Sequence, residues 1–401
     1  MKASRKKIIA LIIVWLIGVT NPAIVESETR DKELNLYARS AVLMNAETGR
    51  ILYGKNADEK MAMASTTKIM TLIVALEEGE LSKKAVVSEY AAGMPKVHLG
   101  MKVGEEYVLK DLLYSLMLES HNDSAVVIAE TIGGSVEGFA KKMNEKAKEI
   151  GCKKTHFVTP NGLDDAKHYS TAKDMAKILA YAVTAFPQKD AFLEITRTKE
   201  YRIGNKTCYN HNRLLEMMDG AITGKTGFTA KAGYCYVGAV KKGEVTYVFS
   251  LLACGWPNNK GYKWKDSKTL LAYGESEYYP VYEEEVERFR EETSKLPDKI
   301  PVIKGKKKYV PVHIVSKAKM KSPYLLLKKG EKIRICTKLS KTITAPVKKG
   351  SKVGEILFVF QNGRDRIFMQ KDIVTDSEVK KTKYYDGILD WIGKHSKKLI
   401  R

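Results

Sequence analysis

Ser65 and Lys68 stand three residues apart, and in a helix that spacing puts both side chains on one face, a turn apart. A serine hydroxyl is a poor nucleophile until an adjacent base takes its proton. Lysine can be that base only if burial or a nearby cation lowers its pKa. Two more polar triplets follow along the chain, Ser120-His121-Asn122 and Lys225-Thr226-Gly227. In the first, a serine can relay a proton and an asparagine amide can bind a substrate carbonyl. In the second, lysine and a threonine hydroxyl can hold a carboxylate, and glycine lets a substrate backbone come close. Each triplet alone also fits a helix cap or a turn before a hairpin. In this order they supply a nucleophile, a base, a proton relay, an amide clamp and a carboxylate anchor, which together make an acyl-transfer site.

Positioning these groups requires a scaffold, and the flanking pattern describes one. Ile69, Met70, Leu72, Ile73, Val74 and Leu76 make the helix after Ser65 apolar on nearly all sides, so it is expected at the centre of the molecule. Lys68 then starts a buried segment with Lys225 as a second cation, and is expected to be largely neutral. Helical stretches Leu112 to Leu118 and Ala125 to Ile132 bracket the second triplet, and an amphipathic helix from Ser135 to Ile150 stops at Gly151. Two strands around Asn45-Ala46-Glu47-Thr48, and a hairpin from Ala232 to Cys254 turning at Lys241-Lys242-Gly243, are expected from β-branched and aromatic runs. The third triplet is expected to open a strand beside that hairpin.

The chain of 401 residues has room for a catalytic domain over residues 34–285 and a smaller one. A charged helix over Glu283 to Glu292 leads to a linker from Ser294 to Lys299. Short strand-like runs separated by Lys/Gly turns then predict a basic all-β domain over residues 300–378. The net charge of +22 sits mostly there: from Pro301 onward 26 Lys and Arg face 8 Asp and Glu, or +18, leaving +4 for the first 300 residues. Such a field suits an anionic membrane or an acidic wall polymer. Lys2, Arg5, Lys6 and Lys7 precede an apolar run from Ile8 to Val19, which reads as a signal peptide over residues 1–27, with an uncleaved anchor as the rival reading. Export makes nucleic acid the least fitting partner. At the other end, residues 379–401 place Tyr385, Ile388, Leu389, Ile392 and Trp391 among lysines, a basic amphipathic segment able to lie on an anionic membrane surface. The five cysteines have no metal-ligand spacing and read as scattered small hydrophobes, with a disulfide between Cys208 and Cys235 left open.

These motifs resemble the penicillin-binding and serine β-lactamase superfamily, and more closely its low-molecular-mass D-alanyl-D-alanine carboxypeptidases. The narrower likeness rests on Thr155-His156-Phe157, Pro160-Asn161-Gly162-Leu163, Tyr169 to Met175, and Gly224 to Thr229 followed by Ala232-Gly233-Tyr234. It implies an α+β fold: a β-lactamase/transpeptidase-like catalytic domain, an antiparallel sheet flanked by helices, with a small C-terminal all-β domain. It also implies that Ser65 attacks the penultimate D-alanine of a peptidoglycan stem peptide, that Lys68 takes its proton, and that Ser120 protonates the departing D-alanine. Asn122 would position the peptide, Lys225 and Thr226 would hold its carboxylate beside Gly227, and the N–H groups of Ser65 and Phe228 would form an oxyanion hole. His211 and Arg213 are both candidates for a further basic contact, and His121 fills a variable position. No metal or organic cofactor is implied, and β-lactams would acylate Ser65 in place of the peptide.

A class A-type β-lactamase would use a glutamate in a Glu-x-x-x-Asn loop to activate the deacylating water. Between Ala125 and Gly224 no glutamate has asparagine four residues on. The other rivals are a non-catalytic peptidoglycan-binding protein, which the intact triplets argue against, and a transpeptidase, which differs only in the acceptor of the acyl group.

Overall fold

A computed structural model describes residues 33–282, 284–286, 296–315, 324–361 and 366–382. The expected signal peptide, most of the charged helix from Glu283 to Glu292, part of the linker, and the C-terminal segment beyond Thr382 lie outside them.

Five antiparallel strands form the central sheet, in the order Ile51–Lys55, Ser40–Asn45, Val245–Leu252, Gly233–Lys242, Ala221–Thr229. Alternation along each strand sends neighbours to opposite faces. Val42, Met44, Val237, Ala239 and Val248 enter the larger core, with the helices Lys68–Glu78, Leu109–Leu118, Asn122–Gly133 and Ala172–Thr184. Ala41, Leu43, Tyr236, Val240 and Phe249 face the other way, against the helix Tyr262–Glu277. Because both faces are covered, the strands read as continuous apolar runs.

The helix Lys68–Glu78 is buried from Lys68 to Leu76, as its all-round apolar pattern predicts. The helix Val136–Ile150 ends at Gly151, whose φ of +87° caps it in the left-handed region. Two expectations need correction. The hairpin between Gly233–Lys242 and Val245–Leu252 turns at Gly243 (φ +57°) and Glu244, because Lys242 already pairs with Val245. The third triplet lies within the Ala221–Thr229 strand instead of opening it, since pairing with Gly233–Lys242 extends back to Ala221.

The C-terminal region is built of strands, with a six-stranded sheet ordered Lys332–Leu339, Lys352–Gln361, Arg366–Thr375, Tyr309–Val315, Lys299–Ile303, Ile343–Thr344. The fold is therefore α+β, as the motifs imply. One strand that the sequence pattern did not single out, Tyr324–Lys328, pairs instead with Tyr278–Tyr282, directly after the last catalytic-domain helix. Its alternation serves two cores: Tyr324 and Leu326 enter the catalytic one, Leu325 and Leu327 that of the β-region. Beside it, Arg50 forms an ion pair with Glu331 at 2.7 Å, and Tyr324 Oη donates to Glu47 at 2.6 Å. All five cysteines are free, so the Cys208–Cys235 bridge does not form.

Candidate active site

Ser65 sits on a short 3-10 turn, Ala64–Thr67, that feeds into the buried helix beginning at Lys68. Ala64 holds φ at +48°, an uncommon conformation for a residue with a Cβ, and it aims the turn. Lys68 Nζ stands 3.0 Å from Ser65 Oγ, 3.0 Å from Asn122 Oδ1 and 2.7 Å from the Asn161 carbonyl oxygen. Its side chain is wholly buried. Burial, and then the charge of Lys225, hold its pKa well below the usual lysine range, against an opposing pull from Asp123.

The second triplet occupies the turn between Leu109–Leu118 and Asn122–Gly133. Ser120 adopts φ +68°, and its buried Oγ has no hydrogen-bond partner among the described residues. A buried hydroxyl left unpaired costs free energy, and this one is free to bond a group that enters the site. Asn122 divides its amide between Lys68 and the Pro95 carbonyl, to which its Nδ2 donates at 3.1 Å. His121 is buried at the start of the helix, with Nδ1 2.8 Å from Ser115 Oγ. Burial pushes its pKa down to about 4, so it is neutral at ordinary pH.

The third triplet brings Lys225 and Gly227 to the same side of the edge strand. A Cβ on Gly227 would meet the Ser65 and Thr66 nitrogens at 2.9 and 3.0 Å, so the strand backbone is pressed against the serine turn. Lys225 is 3% exposed, and burial pulls its pKa down to about 7, partly offset by Glu119. Thr226 is half-buried, while Phe228 is exposed and leans on the Tyr234 ring at 4.6 Å. Glu119 accepts from the Tyr209 amide at 2.8 Å and lies 2.7 Å from His211 Nε2. His211 is therefore beside the Ser120 turn and paired with a carboxylate. Arg213 is exposed two residues on.

Two participants carry no residue-type signal. The Asn161 carbonyl acts through its backbone, and only the left-handed Gly162 beside it, whose Cβ would strike the Ala64 oxygen at 2.0 Å, marks the loop. Asp123 is buried and accepts from the amides of Leu99, Gly100 and Ser124 at 2.8 to 2.9 Å, tying the loop over Asn122 to the helix. Among the described residues no cluster of His, Cys, Asp and Glu could hold a metal ion.

Comparison with known proteins meets this geometry from outside. The D-alanyl-D-alanine carboxypeptidase family model matches residues 26–252, more than half of the chain, and a model of the penicillin-binding protein 5 C-terminal domain matches residues 284–381. The D-alanyl-D-alanine carboxypeptidase DacF of Bacillus subtilis is 35% identical over 344 residues, covering 82% of this chain and 83% of the relative. DacC of Escherichia coli, also a D-alanyl-D-alanine carboxypeptidase, is 29% identical over 372 residues, covering 88% and 87%. Penicillin binding protein 5 from Haemophilus influenzae superposes with a TM-score of 0.67 at 25% identity, over 88% of this chain and 100% of that one. The chain belongs to the D-alanyl-D-alanine carboxypeptidase family.

Proposed function

We propose that this chain is a serine-type D-alanyl-D-alanine carboxypeptidase that removes the terminal D-alanine from peptidoglycan stem peptides through an acyl-enzyme on Ser65. The observation that carries the reading is the environment of Lys68. A neutral lysine has two N–H bonds and one lone pair. Asn122 Oδ1 and the Asn161 carbonyl oxygen are both acceptors at 3.0 and 2.7 Å, and they take the two hydrogens. The lone pair is then left for the Ser65 O–H, 3.0 Å away.

Ser65 Oγ attacks the carbonyl carbon of the penultimate D-alanine as its proton passes to Lys68 Nζ. The carbonyl oxygen becomes an oxyanion, held by the N–H groups of Ser65 and Phe228, a device contributing roughly 3 kcal/mol per donor. The tetrahedral adduct collapses by breaking the C–N bond, and Ser120 relays the proton from Lys68 to the departing amine. Lys225 and Thr226 hold the substrate carboxylate, and Asn122 orients the peptide. Water takes the place of the amine in the second half, returning Ser65 to its hydroxyl form. A β-lactam presents the same carbonyl and carboxylate, but its leaving amine stays tethered, so the acyl-enzyme persists.

Action on peptidoglycan puts the enzyme outside the cytoplasm, and the basic, apolar start of the chain supports export by a signal peptide. The basic amphipathic sequence beyond Thr382 supports peripheral contact with an anionic membrane. Mass spectrometry after adding penicillin tests the core of the reading: an adduct on Ser65, absent in Ser65→Ala, together with release of D-alanine from a D-Ala-D-Ala peptide. A folded protein that binds peptidoglycan yet forms no adduct and leaves the peptide intact is a wall-binding protein instead.

A further inference from the structure

Beneath the Ser65 turn lies a histidine that the chemistry above does not use. His168 is 3% exposed. Its Nδ1 accepts from the backbone N–H groups of Val158 at 3.0 Å and Thr159 at 3.3 Å. A ring nitrogen facing two donors carries no proton, so the hydrogen is on Nε2. Nε2 lies 2.9 Å from Thr67 Oγ1, which it reaches as donor, and the Thr67 hydroxyl in turn donates to the Ala64 carbonyl at 2.8 Å. Ala64 is the left-handed residue that aims Ser65.

The loop on the other side of the ring is the one that cradles Lys68. Within three residues of Val158 it presents the Asn161 carbonyl to Lys68 Nζ, and its Pro160 carbonyl accepts from Thr71 Oγ1 at 2.6 Å, on the same buried helix. One imidazole thus spans the two parts of the site whose separation decides whether serine and lysine meet.

We infer that His168 is a positioning residue for acyl transfer: its Nε2–H tautomer fastens the Ser65 turn to the loop that holds the Lys68 amine. The inference rests on Ser65 and Lys68 being nucleophile and base. A ring protonated at Nδ1 would turn a donor toward the Val158 and Thr159 N–H groups and push that loop away, taking the Asn161 carbonyl from Lys68. Burial disfavours the charged ring most, holding its pKa at about 4. Of the charged groups around it, Asp165 on its own loop favours the charge, while His156 across the paired segment and Lys68 on the central helix oppose it. Phe157 closes the remaining side with its ring edge, 5.8 Å away.

The test compares His168→Gln with His168→Phe, using the acylation rate by a fluorescent penicillin from pH 4 to pH 8 and the kcat and KM for a D-Ala-D-Ala peptide. Glutamine can accept from the two amides and donate to Thr67 without titrating. It should keep acylation within about threefold of wild type at neutral pH and lose the steepest part of the acid fall. Phenylalanine fills the space but makes neither bond, and should slow acylation on the order of 10²-fold, through kcat and not KM. Wild-type acylation in the Phe variant overturns the inference, as does a Gln variant impaired as severely as Phe. Should Phe fail to fold, nitrogen NMR of the wild-type imidazole decides: an Nε2–H tautomer at pH 6 supports the inference, and an Nδ1–H or doubly protonated ring overturns it. If the wild-type protein takes no penicillin on Ser65, the functional reading itself fails; if it does and Phe is silent, only this inference does.

Discussion

A methyl group on Gly227 would stand 2.9 Å from the Ser65 amide nitrogen, so the edge strand and the serine turn meet where only glycine fits. That contact sets the spacing between the Ser65 and Phe228 N–H groups that we assign to the oxyanion. Gly227→Ala must push the strand outward. The expected outcome is a loss of penicillin acylation on the order of 10²-fold or more, together with a lowered melting temperature as the strand is displaced. Stopped-flow acylation read beside a thermal melt checks this.

The base reading of Lys68 is separable from simple positive charge. Arginine keeps the charge and cannot lose its proton in a protein. Lys68→Arg should therefore abolish acylation, by roughly 10³-fold or more. In the wild-type enzyme the acid limb of the rate profile should lie well below the ordinary lysine value of 10.5, because burial and Lys225 both disfavour the charged amine. A limb near that value would assign the proton transfer to another group.

Lys225 yields a pH dependence of the opposite sign. In the proposed mechanism its charge anchors the substrate carboxylate, and in the free enzyme its pKa is pulled down to about 7. As pH rises through that value the anchor is lost, so kcat/KM should fall by about tenfold per pH unit above it. A bound carboxylate restores the charge, which moves the corresponding limb of kcat to higher pH. Lys225→Gln should raise KM and flatten the limb, and initial rates with a D-Ala-D-Ala peptide measure both.

Two buried histidines make the fold sensitive to acid. His121 and His168 have folded pKa values lowered to about 4, against 6.5 in the unfolded chain. The unfolded state binds more protons between those values, so stability is full above about 6.5 and is lost as pH falls toward about 4. Urea midpoints at pH 7.5 and 4.5 should differ, and His121→Gln should reduce the difference.

The ion pair of Arg50 with Glu331 ties the two regions of the chain together, with the Glu331 side chain only 3% exposed. Arg50→Ala takes the guanidinium away from that buried carboxylate, which keeps the Lys328 amide at 3.0 Å, and should lower stability by roughly 1–3 kcal/mol. Replacing both residues with leucine should lose less, and a double-mutant cycle on urea unfolding compares them.

The central helix was legible because apolar residues on every side have no other place to go, and the strands of the main sheet because β-branched runs lie between turns. The three triplets marked the candidate site because each role proposed for it calls for a particular side chain. The Asn161 carbonyl was not legible, because every residue has one and its use depends on where a loop folds. The bonds made by Asp123 depend likewise on a loop more than twenty residues away in sequence. The mid-strand place of Lys225 and the partner of Tyr324–Lys328 come from pairing between distant segments, which local pattern does not encode.

That last strand bears on how the chain can be divided. A protein cut after Tyr282 would keep every residue of the proposed chemistry and yet lose Tyr324 and Leu326 from the core behind the sheet, leaving Tyr278–Tyr282 with a bare edge. The two regions are thus less modular than their separate family matches suggest: the peptidase borrows part of its own wall from the sequence that follows it. Insertions are better accommodated in the turns of the six-stranded sheet, such as that at Gly350, than at the seam between the regions.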